Sequence, residues 1–203
     1  MSGGGKTSFC QKLCDLLTKE YDVCFISTDW FYKTLLPTQQ VEKYNFDTPM
    51  AFDFQPLIEA LRGHQQVSLP DYDYITHQSL PNQHLYRPDA DFVIIEGIML
   101  YHNEQLRQLI DTKIFVHTDL DACLARRILR DLKERGHTIQ GVINQWFESV
   151  RPGYEEFIYP TMQYADYIFN NTKDNIDQNI RKDLQLKCLL DQLKASRVMH
   201  QGH

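Results

Sequence analysis

Gly3-Gly4-Gly5-Lys6-Thr7-Ser8 stands directly before Phe9, Leu13, Leu16 and Leu17, whose spacing predicts an amphipathic helix over residues 8 to 19. Glycines let a backbone curl so that its N–H groups point at phosphate oxygens, and the helix start adds partial positive charge. Lys6 would reach the terminal phosphates and Thr7 would offer its hydroxyl to Mg²⁺. In the full G-x-x-x-x-G-K-[ST] pattern the first glycine falls one position before Met1. The strand that feeds such a loop is therefore expected to be missing. For the hexapeptide alone, a flexible glycine-rich terminus is the plain alternative.

Working outward, Val23 to Ile26 is a short apolar run read as a buried strand within Tyr21 to Ser27. Phe92 to Ile95 and Lys113 to Val116 carry the same mark, and Ala165 to Phe169 is a last strand candidate. Helices are expected at 54 to 61 (ended by Gly63), 120 to 134, 138 to 149, 153 to 163 and 175 to 196. Val67 to Tyr74 and Leu85 to Tyr86 flank a Pro/Asn/Gln-rich turn, which predicts a projecting hairpin. Strands alternating with helices argue for a parallel α/β sheet covered on both faces, and no linker divides residues 1–203 into domains.

Composition narrows the partners. A net charge of −6 disfavours a nucleic-acid backbone, and no apolar run near 20 residues suggests a membrane span or a secretion signal. Five cysteines without CxxC pairing fit small side chains in a reducing cytosol, so a cytoplasmic location is expected. Cys10 and Cys14 have helical spacing that could suit a metal, but no further ligands stand nearby.

An acidic protein that handles phosphate must gather positive charge locally. Arg126, Arg127, Arg130 and Arg135 do so on and after the 120–134 helix, a composition suited to a lid over transferring phosphates. A solvated face paired with Asp131 and Glu134 is the alternative. Asp29, after the first visible strand, could take a proton from an attacking hydroxyl or help to hold a metal; a turn or cap role is the plain reading. Glu96 ends the second buried strand, where a carboxylate can bind Mg²⁺; a strand-end turn, with Gly97 supplying backbone freedom, is the plain reading.

In combination these segments resemble the uridine–cytidine kinase family of P-loop kinases. The matching runs are Gly3 to Ser8, Ser27 to Lys33, Tyr44 to Asp53, Pro70 to His77, Glu96 to Ile98, Phe115 to Asp119, Ala125 to Asp131, Glu134 to Gly136, Val150 to Tyr154 and Tyr164 to Asp166. The resemblance implies a P-loop NTPase-like parallel sheet with a projecting β-hairpin, a helical arginine lid and its central strand missing. It implies phosphorylation of uridine or cytidine at the 5′-hydroxyl by ATP, or alternatively GTP, with Mg²⁺, by a homo-oligomer.

By the same resemblance Asp29 is the base and lies near the metal, Thr7 and Glu96 hold Mg²⁺, and Arg130 and Arg135 meet the phosphates. Asp47 holds the ribose 2′- and 3′-hydroxyls. Tyr72, Tyr74 and His77 surround the pyrimidine, with Tyr32, Phe46, Arg127, His137 and Gln145 completing the nucleoside site. The family has arginine where His137 stands; Trp30, Thr48, Met50 and Gln78 are further departures and bear on substrate preference. Other readings remain: a kinase of another small hydroxyl substrate such as nicotinamide riboside, or an inactive paralogue that serves as a binding partner.

Overall fold

A computed structural model describes residues 1–41, 44–63, 65–171 and 176–200. Glycine sets the first turn. Gly3 and Gly5 both adopt positive φ, 77° and 80°, so the chain curls once and enters α1 (Lys6–Leu17) with Gly5 at its cap. Phe9, Leu13 and Leu17 recur every fourth residue and are buried, whereas Leu16 points outward. Phe9 packs on Phe169 with ring centroids 4.7 Å apart, in a cluster that includes Ile180 and Leu186. Burial of each such side chain contributes about 1.5–3 kcal/mol.

The apolar runs form strands as expected. β1 (Val23–Ser27) pairs in parallel with β4 (Phe92–Glu96), so that Ile26 lies beside Ile95 and Ser27 beside Glu96. β5 (Ile114–His117) pairs in parallel with β6 (Tyr167–Asn170). Among the described residues these two pairs do not hydrogen-bond to each other, so the single sheet expected is split. A cavity of about 420 Å³ lies between them, lined by Ile94 and Ile95 of β4 and by Phe115 and Val116 of β5. α1 and α8 (Leu184–His200) also reach it through Leu13 and Leu190.

Between β1 and β4 the chain makes α2 (Gln55–Arg62) and an antiparallel hairpin, β2 (Val67–Asp73) with β3 (Gln78–Tyr86). The turn is Tyr74 to His77, earlier than the Pro/Asn/Gln-rich stretch suggested. Pro81, Asn82 and Gln83 lie inside β3, where Asn82 takes a φ of 58° opposite a register shift at Leu69/Asp71. The bulge absorbs the turn-forming residues. α3 (Glu104–Leu109) has no counterpart in the sequence reading. It is capped by Asn103, whose side chain accepts from the N–H of Leu106 at 3.0 Å.

α4 (Leu120–Glu134) follows β5. The helices expected at 138 to 149 and 153 to 163 are one continuous helical run: α5 (Ile139–Gln145), a wide turn at Trp146–Val150, α6 (Arg151–Gly153), a second wide turn at Tyr154–Ile158, and a tight end at Tyr159–Tyr164. Pro152 does not break it, because the wider i→i+5 turns on either side accommodate a residue without an N–H. The expected closing helix is two, α7 (Ile176–Lys182) and α8, and Asn175 lies outside the described residues. Asp183 divides them: its carboxylate accepts from the N–H of Leu186 at 2.9 Å and from the hydroxyl of Tyr167.

Candidate active site

The C-terminal ends of β1 and β4 and the start of α1 meet at one carboxylate. Glu96 is buried, and its Oε1 accepts from the Thr7 hydroxyl at 3.0 Å and the Ser27 hydroxyl at 3.1 Å. The glycine loop is held from behind. The carbonyl of Gly4 accepts from the Thr118 hydroxyl at 2.8 Å and from the Asn171 side-chain amide at 3.1 Å. Lys6 turns back along the loop and donates to the carbonyl of Met1 at 3.2 Å; Thr7 and Ser8 are exposed at its rim.

Asp29 sits two residues past β1 in the tight turn Thr28–Phe31, its N–H bonded to the hydroxyl of Ser27 at 3.3 Å. Its Oδ2 accepts from the Tyr74 hydroxyl at 3.2 Å, which brings the hairpin turn onto the strand ends. Around that contact stand Tyr32, Phe46, Tyr72 and His77. Ring centroids lie 5.3 Å apart for Tyr32–Tyr72 and for Tyr72–Tyr74, 5.8 Å for Tyr32–Phe46 and 5.5 Å for Phe46–His77. His77 holds a φ of 55°, and its carbonyl accepts from the N–H of Leu35 at 3.0 Å. Trp30 turns away from this group and stacks on His84 at 3.6 Å with 8° between the rings, so it braces the hairpin and does not line the site.

Asp47 is buried with its N–H tied to the Asn45 side chain at 2.9 Å. Burial raises its pKa above the ordinary carboxylate range, while the nearby Arg127 charge pulls the other way. Arg127 is itself buried, and loss of solvation lowers its pKa against the pull of Asp47 and Asp131. Its two terminal nitrogens donate to the Ser2 hydroxyl at 2.8 Å and the Gln145 side chain at 2.6 Å, which joins α4, α5 and the glycine loop. Arg135 lies over the Tyr74 ring at 5.0 Å. Loop, carboxylates, aromatic group and arginines thus share one end of the molecule. His137 is in the exposed turn after α4, with its N–H on the carbonyl of Asp131.

The sequence model of the Phosphoribulokinase / Uridine kinase family matches residues 1–177. Uridine-cytidine kinase 2-B of Danio rerio is 39% identical over 87% of this chain and 73% of its own length. A uridine kinase of Macrococcus caseolyticus is 42% identical over 82% of both chains. The chain belongs to the phosphoribulokinase/uridine kinase family. In its fold the chain is similar to a solved structure described as a possible uridine kinase from Bacillus stearothermophilus, with a TM-score of 0.55 and 20% identity over 82% of each chain. The fold is that of a P-loop kinase, and chains of this family are transferases acting on small molecules. Among the described residues, no helix is long and apolar enough to cross a membrane.

Membership leaves several site features that sequence reasoning did not supply. Gly153 stands where an added Cβ would meet the carbonyl oxygen of Asp47 at 2.2 Å, so this glycine lets the helical run press against the segment that carries the buried carboxylate. Gly97 does not take a positive φ; it leaves room for Thr28, whose Oγ1 would lie 1.5 Å from an added Cβ. The role given to its backbone freedom is corrected accordingly. The arginine helix reverses expectation most. Its buried stripe is Cys123, Arg127 and Asp131 at i,i+4 spacing, while Leu129 is 71% exposed. That stripe faces the polar glycine loop, so charge belongs there and leucine does not. The i,i+4 pair of Arg127 with Asp131 was the available signal. No set of three His, Cys, Asp or Glu side chains converges as a metal cage among the described residues.

Proposed function

We propose that this chain transfers the γ-phosphoryl group of ATP to the 5′-hydroxyl of uridine or cytidine, giving ADP and the nucleoside monophosphate. The observation that carries the reading is the contact of Tyr74 with Asp29. It sets an aromatic-lined hairpin, suited to a small planar base, against a carboxylate beside the phosphate loop. Close relatives named uridine or uridine-cytidine kinases support the same substrate class.

In this mechanism the loop N–H groups and Lys6 hold the phosphates in line with the acceptor, and Asp29 takes the proton of the attacking hydroxyl. Asp47, with two acceptor oxygens, receives the ribose 2′- and 3′-hydroxyls. Tyr32, Phe46, Tyr72, Tyr74 and His77 enclose the base by ring contact, and Arg127, Gln145 and His137 complete the nucleoside side. Arg130 and Arg135 offer forked donors to the charge that develops on the transferring group.

Thr7, Glu96 and Asp29 would hold Mg²⁺. The oxygen-only donors gathered at Glu96 fit a hard cation that keeps most of its shell for water and phosphate. When bound, that ion neutralises phosphate charge. Catalysis by the chain is then chiefly positioning and electrostatic stabilisation.

Incubation with labelled ATP and a panel of uridine, cytidine, thymidine and nicotinamide riboside is expected to give labelled UMP and CMP. Thymidine, which lacks the 2′-hydroxyl, is expected to react at least about tenfold less efficiently, because one acceptor of Asp47 then goes unmet. Preferential labelling of nicotinamide riboside would overturn the pyrimidine assignment.

Asp47 also predicts a pH response. Because its pKa is raised by burial, nucleoside binding should weaken as pH falls through a value above that of an exposed carboxylate, near 4. KM for uridine, followed from pH 8 down to the acid limit of the fold, should rise toward the acid end. A flat KM over that range removes Asp47 from the ribose site. The stability term has the opposite sign. A raised pKa favours folding below the unfolded value, and that contribution is lost as pH rises through the folded one. Acid should therefore weaken binding without Asp47 itself weakening the fold.

A further inference from the structure

Asp131 is fully buried, on the stripe of α4 that faces the glycine loop. Three guanidinium groups converge on its carboxylate through the same atom, Nε. Arg130 donates to Oδ1 at 2.8 Å, Arg135 approaches that oxygen at 3.7 Å, and Arg127 faces Oδ2 at 3.3 Å. An Nε contact engages the inner edge of a guanidinium and turns its terminal nitrogens outward. For Arg127 and Arg130 those nitrogens meet the Ser2 hydroxyl, at 2.8 Å and 3.4 Å, beside Gly3. For Arg135 the outward part covers Tyr74, whose hydroxyl is on Asp29.

Three like charges this close repel one another and would splay into solvent without a counter-charge. Asp47 also draws on Arg127, but Asp131 is the buried carboxylate that all three heads share. The main chain at this position has a separate duty: the carbonyl of Asp131 accepts from the N–H groups of Arg135 at 3.2 Å and His137 at 3.1 Å. That part survives any side-chain change, so the end of α4 does not depend on the carboxylate.

We propose that Asp131 is the positioning residue of the arginine cluster, holding Arg127, Arg130 and Arg135 in register with the phosphate loop and the Tyr74–Asp29 contact. It touches no substrate and acts through the three guanidinium groups. The kinetic part of the proposal rests on the kinase reading above.

The test uses Asp131→Asn and Asp131→Glu in the full chain. For Asp131→Asn, kcat for uridine phosphorylation should fall about 30- to 100-fold, the scale on which small misplacement of catalytic groups acts. KM for uridine should rise as well but less than kcat falls, because Arg127 on the nucleoside side keeps its bonds to Ser2 and Gln145. Asp131→Glu restores the charge one methylene away and should recover kcat to within about tenfold of wild type. Combined with Arg135→Ala, Asp131→Asn should lose clearly less than the product of the two single losses, because part of its effect passes through Arg135.

Arginine Nε–Hε NMR signals give a readout independent of turnover. Those of Arg127, Arg130 and Arg135 should shift and exchange faster in Asp131→Asn while backbone amide signals away from α4 stay put. Wild-type kcat in a folded Asp131→Asn protein, multiplicative losses with Arg135→Ala, or unmoved Nε–Hε signals would each overturn the proposal. If Asp131→Asn does not fold, Asp131→Glu decides alone: its added methylene should shift the Nε–Hε signals of all three arginines, and unmoved signals overturn the proposal. A wild-type chain inactive on uridine whose Nε–Hε signals still collapse in Asp131→Asn would indict the substrate assignment and leave the positioning role standing.

Discussion

Asp29→Asn is expected to lower kcat by about 10²- to 10⁴-fold, the usual contribution of a positioned general base. Asparagine has nearly the same shape, and its side-chain oxygen can still accept from the Tyr74 hydroxyl, now at 3.2 Å from Asp29 Oδ2. The N–H of residue 29 keeps its bond to Ser27, so the turn after β1 should be undisturbed. What disappears is the ability to take a proton as the sugar hydroxyl attacks. Uridine affinity measured by calorimetry should change by no more than a few-fold, because the ribose diol is assigned to Asp47 and the base to the aromatic group. A variant within threefold of the wild-type rate would show that the proton leaves by another route.

The second large effect is on the frame. Gly97→Ala places a methyl group 1.5 Å from Thr28 Oγ1 and 2.6 Å from Thr28 Cβ. Thr28 is fully buried, and Cβ is anchored to the backbone, so no flexible side-chain end can yield. The ends of β1 and β4 must part, although Ser27 and Glu96 are paired there. Overpacking of a core costs about 1–3 kcal/mol and occasionally more, and a backbone-level clash belongs at or above the top of that range. For a chain of this length about 3 kcal/mol corresponds to a fall in Tm of roughly 6–12 °C. Activity should fall with it, because separating the strand ends moves Glu96 away from Thr7. Thr28→Gly in the same chain removes all three clashing atoms and should recover much of the lost Tm. A Gly97→Ala protein that melts like wild type would show that these strand ends are not packed as described.

Local chemistry made much of this molecule legible. Short apolar runs such as Val23–Ile26 and Phe92–Ile95 read as strands, because they are too short for a stable helix and too apolar for a loop. Gly3, Gly5 and Lys6 announced a phosphate loop through the conformations that glycine alone adopts freely. Asp29 and Glu96 were found because each directly follows a predicted strand, where open α/β sheets bind ligands. The hairpin was visible, but its turn was misplaced. Pro81 and Asn82 read as turn residues, and only pairing with β2 converts them into a bulge.

The failures have a common cause. Pro152 falls between the two helices expected from the sequence, yet one helical run passes through it because the wide turns on either side accommodate a residue without an N–H, and Gly153 admits the Asp47 carbonyl at close range. Asp131 and Glu134 looked like equivalent surface partners for the arginines, yet Asp131 is fully buried and Glu134 exposed. Periodicity reports only which residues share a face. It does not report what that face meets.

The sequence by itself therefore determined the order of the strands, the glycine loop, and the carboxylates at the strand ends, because each depends on neighbours within a few residues. Only the tertiary structure decided that α4 turns Arg127 and Asp131 inward and Leu129 outward, that Tyr74 reaches Asp29, and that Gly153 and Gly97 are fixed by space. Those choices depend on which distant segment arrives against each face. On α4 the arriving segment is the polar glycine loop, whose Ser2 hydroxyl accepts from Arg127, a donor that a leucine could not supply.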